Sequence, residues 1–525
     1  MNGSNTGLST GLSTGTGSGA GGSEGNSTDT NKGTSTGEGA GMSPNPGPGP
    51  RFVVVAKRDC PTCVLVQPVL REIAASGAAL TVYAQDDPTF PDGLESIDDR
   101  SLEHSWRLGI ETVPTLIRIE DGHEAERTIG WDRAEWCRVT ELDPLGAALP
   151  DFQPGCGSKS VDPGMPEVLE VAFGAPPLTA RRLDVHAPED EHELCFSRGW
   201  SDGLPVVPPT PVRVLRMLKG TTRDPQEVVG PIPPNNAPCT VEKVAINAVM
   251  AGCKPEYMPV VLAVVEAALV PEFTMHGLLC TTYFSGPMVV VNGPVARRIG
   301  MNSGVNALGQ GNRANASIGR ALQLVIRNVG GGVPGGIDRA TLGWPGKYTL
   351  CFAEDESDPG WLPLSVERGV PPGASAVTLF AAGGLIPNMD EGSRTPESLT
   401  RSLAMTLNSV GHPKVVQGAD AFLILSPEHW RIFREGEWDK ARIKAELMAA
   451  TVRPGAELVQ GANGIDAGVK PDLVEDMMPK FRDGGLNIVR AGGEAGLMSA
   501  VIGGWVASGP RGSSPVTRKI GEIRT

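Results

Sequence analysis

Much is missing from this 525-residue sequence. No stretch approaches the roughly eighteen apolar residues of a membrane span, so no membrane partner is expected. The N-terminus lacks a basic-then-apolar signal segment. A net charge of −14 argues against nucleic acid as a partner. The seven histidines form no HxH, HExxH or HxxxH pair, and only one CxxC occurs. Neither a zincin nor a zinc ribbon can be built from that set, so no metal is expected. The glycine-rich loop Gly330–Gly336 has neither Walker nor Rossmann spacing, so no nucleotide or other cofactor is expected. A GxSxG pattern occurs only in low-complexity text such as Gly7–Gly11, with no strand and helix to make a nucleophile elbow. Nine cysteines is an odd number, and most lie in apolar contexts. That suits a reducing, cytoplasmic compartment better than a disulfide framework.

What is present divides into four stretches. Residues 1–50 are mostly Gly, Ser and Thr and end in a Pro/Gly run. Such a segment cannot offset its ordering entropy and is expected to be disordered. Residues 51–145 alternate strand and helix patterns, 146–193 suggest a linker or docking strap, and 194–525 form the larger unit. Both folded units are expected to be α/β.

The run Cys60-Pro61-Thr62-Cys63 follows the apolar strand Phe52–Ala56 and precedes a helix with Leu65, Val69, Leu70 and Ile73 at helical spacing. Pro61 suits the first helical position. Cys60 then sits at a helix N-terminus, where the dipole and free N–H groups stabilise a thiolate. Cys63 lies one turn further in, within reach of a disulfide. Cys60 is therefore expected to be the more accessible and more acidic thiol. A zinc half-site or a purely structural CxxC is the alternative. Downstream, Val113-Pro114-Thr115 opens a strand, and Asp121-Gly122 turns into the next.

On Cys60, Cys63, the mid-helix Pro68 and Pro114, residues 51–145 resemble the thioredoxin fold. The resemblance implies a redox dithiol with Cys60 attacking, Cys63 resolving, and a cis Pro114 facing them. Three departures stand out. Asp59 replaces the family's usual Trp and is expected to raise the thiol pKa. Val54 replaces a buried acid. An insertion from Asp86 to about Arg100 lengthens the loop before the second helix. Beyond this stretch, Cys156 stands between glycines and is a candidate mobile relay thiol or an incidental one.

In the larger unit, Thr210 and Thr240 are placed to cap helices beginning at Pro211 and Val241. Cys239 and Cys253 flank the second helix, roughly 15–20 Å apart, too far to bridge each other. Gly277–Thr282, containing Cys280, reads as a strand. Cys239, Cys253 and Cys280 are the candidate receiving thiols. Glu242 is a candidate general acid or base, or a simple capping residue. Asn312, Arg313, Asn315 and Arg320 dress a helix start, a ready site for a carboxylate or phosphate. Arg320 is expected to order a loop or pair with Glu242. Asp202 suits a turn before Gly203, and His429 a solvent-facing helix start.

The text at 289–300 parallels that at 423–433, each strand, Pro, then helix with Arg-Ile, which hints at a duplication. GWSDGLPVVPPT, EKVAINAVMAGCKPEYMPVV, GNRANASIGRAL and the Gly492–Gly496 loop resemble an uncharacterised bacterial family associated with selenoproteins and thiol redox systems. That resemblance implies membership of a thiol-based system and carries no reaction.

The expectation is a dithiol oxidoreductase domain delivering electrons to a fused α/β domain. That domain would reduce or reductively cleave a small polar substrate, with a reductase or thiol protein as a further partner. The alternative is a docking module fused to a non-redox lyase, hydrolase or binding domain.

Overall fold

In the computed structural model, residues 50–185, 190–505 and 512–521 are described; all of the expected tail except Pro50 lies outside them. Helices and mixed sheets alternate, so the fold class is α/β.

The first unit is built on β1 (Arg51–Ala56), whose apolar run is buried on both faces from Phe52 onward. It continues through α1 (Pro61–Leu65), α2 (Gln67–Ala75), β2 (Ala79–Ala84), β3 (Ile97–Asp98) and α3 (Glu103–Arg107). Next come β4 (Thr112–Val113), β5 (Thr115–Glu120), β6 (His123–Ile129), β7 (Trp131–Asp132) and α4 (Arg133–Thr140). The sheet order is β3-β2-β1-β5-β6, with β1 parallel to β2 and antiparallel to β5. The central β1 therefore aims its C-terminal end, and Cys60 after it, at the loop before β5. The insertion at 86–100 supplies the edge strand β3.

The first part of the expected linker is built into this unit. There, β8 (Phe152–Gln153) pairs with β7, and β9 (Cys156–Gly157) pairs with β4. Then α5 (Met165–Phe173) bridges to the larger unit. Phe173 packs on Trp106 of α3 with ring centroids 6.4 Å apart. On its other side Glu167 pairs with Lys219 and, at 3.5 Å, with Arg216.

The larger unit opens with α6 (Glu191–Ser197), α7 (Pro211–Leu218), the hairpin β10 (Val228–Ile232) and β11 (Ala237–Thr240), and α8 (Val241–Ala251). Thr210 and Thr240 cap α7 and α8, accepting from the N–H groups of Arg213 and Lys243. Two apolar helices follow, α9 (Met258–Ala268) and α10 (Met275–Cys280). The latter replaces the strand expected at 277–282. Met275, Leu278 and Leu279 are buried at helical spacing while His276 and Cys280 face outward, a one-sided pattern a helix satisfies. Among the described residues no single helix is long and apolar enough to cross a membrane. One bent pair, Pro255–Ala268 with Pro271–Cys280, passes by length and composition, with a 72° bend.

The remaining elements are β12 (Gly286–Asn292), α11 (Pro294–Arg298), α12 (Arg313–Asn328), β13 (Cys351–Ala353), α13 (Leu364–Glu367) and β14 (Ala376–Met389). They continue with α14 (Pro396–Asn408), β15 (Ala421–Leu425), α15 (Pro427–Glu435), α16 (Lys440–Ala450), β16 (Arg453–Pro454), α17 (Gly455–Leu458) and β17 (Met477–Met478). Last are β18 (Leu486–Arg490), β19 (Met498–Gly504) and β20 (Val516–Lys519). The main sheet runs β13-β12-β14-β19-β15-β18, with β20 on β14.

Its pairing is two-fold symmetric. β12 is parallel to β13 and antiparallel to β14; β15 is parallel to β18 and antiparallel to β19; β14 and β19 pair antiparallel at the centre. The two segments that parallel each other in sequence are the matching pieces β12–Pro294–α11 and β15–Pro427–α15.

The sheet curls until its outer strands meet. The Asp355 N–H, just past β13, donates to the Arg490 carbonyl at the end of β18 at 2.7 Å. Met288, Phe352, Phe380, Phe422, Val489 and Ile502, one from each of six strands, fill the enclosed side. Outside, α8, α9 and α12 cover one half, and α14, α15 and α16 the other.

Candidate functional site

Cys60 is the N-cap of α1, in extended backbone, and its Sγ accepts from the Cys63 N–H at 3.3 Å. Across from it the Val113–Pro114 peptide is cis. Cys60 Sγ lies 3.5 Å from the Val113 carbonyl oxygen. The side chains of Cys63 and Cys156 both act on Cys60 to favour its thiolate. Led by Cys63, these effects outweigh burial and bring the Cys60 pKa down to about 5. Burial pushes the Cys63 thiol far up, and the Cys60 charge adds to that. Cys156 is raised too, first by burial and then by Cys60. Cys60 is thus the acidic thiol of the three.

Two expectations change here. The Cys60 pKa is lowered rather than raised, and the Asp59 carboxylate is paired with Lys57 at 3.2 Å and Lys159 at 3.3 Å. Nor is Cys60 the more accessible thiol, since both cysteines of the pair are wholly buried. The cover is the segment at 152–157. Thr62 Oγ1 donates to the Pro154 carbonyl at 2.6 Å, and Cys156 lies opposite Val113 in the β4–β9 pair. Cys156 is therefore a half-buried strand residue rather than a mobile turn residue.

The candidate residues of the larger unit are distributed differently. Asn312 caps α12, and Asn315 spends its amide on the backbone of Asn302 and Ala307. They satisfy a loop, which is the commoner use of such residues. Arg313 donates to the Gly252 carbonyl at 2.8 Å and is otherwise exposed. Arg320 does not meet Glu242. It grips Asp202 with two bonds of 2.8 Å and also reaches the carbonyls of Leu204 and Pro205, so it orders the 201–205 turn.

Glu242 is buried and fully engaged, accepting from the N–H groups of Thr179 and Ala180, the Thr179 hydroxyl and Gln226. Burial would raise its pKa, but those donors hold it below the ordinary value. It ties down a strap and is not placed as an acid or base. We expect Glu242→Ala to free that strap at a cost of roughly 1.5–3 kcal/mol. Tryptic cleavage at the exposed Arg181–Arg182 should then speed up about tenfold or more. Unchanged digestion would show that the strap is held elsewhere.

Burial pushes Cys239 and Cys253 up to about 12, which leaves them inert near neutrality. Cys280 ends α10 at the surface. His429 is not solvent-facing. It is fully buried, with Nδ1 2.7 Å from the Ser499 hydroxyl, and burial lowers its pKa.

Sequence reasoning missed a cavity of about 660 Å³ lined by the 178–185 strap, α6, the Pro208–Pro211 turn and α8. Lys243, Asn247 and Asn328 give it polar groups, and Cys195 gives it a thiol. The thiol sits on a helix that no motif marks. Among the described residues no cluster of three or more His, Cys, Asp or Glu side chains is arranged to hold a metal.

No protein-family model matches this chain, and no curated protein matches it either. The site's chemistry therefore rests on its own geometry.

Proposed function

We propose that this chain is a thiol–disulfide oxidoreductase of thioredoxin-like type at its N-terminal unit. Its dithiol centre delivers electrons to the α/β unit joined to it, where a small polar substrate is reduced or reductively cleaved. One observation carries this reading: Cys60 caps α1, its Sγ accepting from the Cys63 N–H at 3.3 Å and lying 3.5 Å from the Val113 carbonyl, an environment that lowers its pKa to about 5. A thiolate stable at neutral pH is both the attacking and the leaving form in disulfide exchange. The strand–CxxC–helix order and Pro114 opposite the pair support the same reading.

The covalent tie through α5 raises the effective concentration of one unit at the other. In the larger unit the 660 Å³ cavity suits a small molecule. Cys195, buried in the wall of that cavity and raised by burial, joins the exposed Cys280 as a receiving thiol, whereas Cys239 and Cys253, pushed up to about 12, are poor ones.

The test uses full-length protein with a dithiol as electron source and a protein disulfide as acceptor. Turnover is expected, and Cys60→Ser should abolish it. Turnover that survives Cys60→Ser overturns the reading and favours a docking unit beside a non-redox binding cavity.

A further inference from the structure

The third thiol is the least expected part of the centre. Residues 152–157 do not merely pass by the dithiol; they are fitted to it. β8 pairs with β7, and β9 pairs with β4 beside Val113, which lies against Cys60. A Cβ at Gly155 would lie 2.4 Å from Thr112 Cγ2 and 2.9 Å from the Val113 oxygen. A Cβ at Gly130 would lie 2.8 Å from the Gly155 nitrogen. Only glycines allow this approach. The result is a short strand added to the Val113–Pro114 loop, as an extended peptide adds to a sheet edge. It presents a cysteine to the attacking thiol.

We propose that Cys156, not Cys63, resolves mixed disulfides formed at Cys60, so that Cys60–Cys156 is the disulfide in which the centre rests. This rests on the dithiol reading above and refines it. The chemistry balances as follows. The Cys60 thiolate attacks a disulfide X–S–S–X, forming Cys60–S–S–X and releasing one X thiolate. Cys156 sulfur then attacks Cys60 Sγ. The Cys60–X bond breaks, the Cys60–Cys156 bond forms, and the Cys156 proton goes to the departing X thiolate. Two cysteine thiols lose two electrons, and the X disulfide gains them. An external dithiol reductant resets the centre.

Position and access favour Cys156 over Cys63 in this role. Cys156 is only half buried and lies on β9 opposite Val113, whose carbonyl oxygen is 3.5 Å from Cys60 Sγ. Cys63 is enclosed behind Cys60 in the first turn of α1. Both thiols are raised, each first by burial, so access is what separates them. Exchange depends on the thiolate fraction of the attacker and on its access.

The experiment treats reduced full-length protein with a pyridyl disulfide, whose released thione is coloured. Free thiols are then blocked and the protein is digested with trypsin. Cys60 and Cys63 share the tryptic peptide after Arg58, so a Cys60–Cys156 bond joins two peptides. That joined peptide is expected as the main product. Cys156→Ser should slow the second thione release about tenfold or more and leave pyridyl–Cys60. Cys63→Ser should leave that release within about twofold. Gly155→Val, which displaces the strand without removing a thiol, should act like Cys156→Ser. If instead Cys63→Ser traps the mixed disulfide and Cys156→Ser does not, the proposal fails while the dithiol reading stands. If Cys60→Ser leaves release and mapping unchanged, the dithiol reading itself has failed.

Discussion

Reduced full-length protein should show a rise in ultraviolet thiolate absorbance with a midpoint near pH 5, and Cys60→Ser should remove it. The expectation follows from the Cys60 pKa of about 5, set first by the Cys63 thiol and also by the Cys156 thiol, against burial. Cys63→Ala and Cys156→Ala each remove one of these side chains, so each should move the midpoint upward. The same shift makes a statement about stability. The pKa is lowered on folding from an ordinary value of 9.0. The folded reduced state therefore gains stability as pH rises from about 5 to about 9, and loses it as pH falls through about 5. Activity follows the thiolate: disulfide reduction should hold between neutrality and about pH 6, and fall below about pH 5. A midpoint at an ordinary thiol pKa would mean that the three-thiol cluster does not form in solution.

Local signals carried a good part of this architecture. Pro61 after Cys60, Thr210 and Thr240 as caps, and Pro294 and Pro427 after their strands were all legible, because caps and first-turn prolines act within four residues. What was hidden depended on partners far along the chain. Arg320 binds Asp202 across 118 residues, and the Asp59 carboxylate pairs with Lys159. Cys156 looked mobile because glycines flank it. The same glycines are what let it dock, since Gly155 leaves room for Thr112. The α10 segment misled for a different reason: a short apolar run with a glycine fits a strand as well as a helix, and tertiary burial decided. The sequence offers only two short similar pieces as a hint of repetition. The two-fold order of the sheet becomes visible once the pairing of β14 with β19 is known.

The closing seam of that sheet should carry the largest stability effect in the chain. Arg490 at the end of β18 is 4% exposed and pairs with Asp355 at 2.8 Å and Asp358 at 3.4 Å, while also donating to the Ser357 hydroxyl. Burial would raise both aspartates, yet hydrogen bonds and the arginine charges hold each below the ordinary value. Asp355→Ala removes the nearer counter-charge and leaves the guanidinium buried and underpaired. Breaking a buried pair in this way costs roughly 3–5 kcal/mol. Arg490→Met should cost less, because it leaves no orphaned cation and the aspartates, 18% and 11% exposed, can turn to water. Urea unfolding followed by tryptophan emission is a direct readout. Trp361 and Trp430 stack edge-on beside the seam, centroids 5.0 Å apart, and Trp430 donates to Asp358. The pH dependence has a fixed sign. Carboxylates with lowered pKa contribute stability above their unfolded value and lose it as pH falls through the folded one. Wild type should therefore weaken below about pH 4, and Asp355→Asn, which keeps an acceptor but no charge, should show a flatter acid limb. Should Asp355→Ala unfold within about 1 kcal/mol of wild type, the seam is an incidental contact and the two halves are held by β14 and β19 alone.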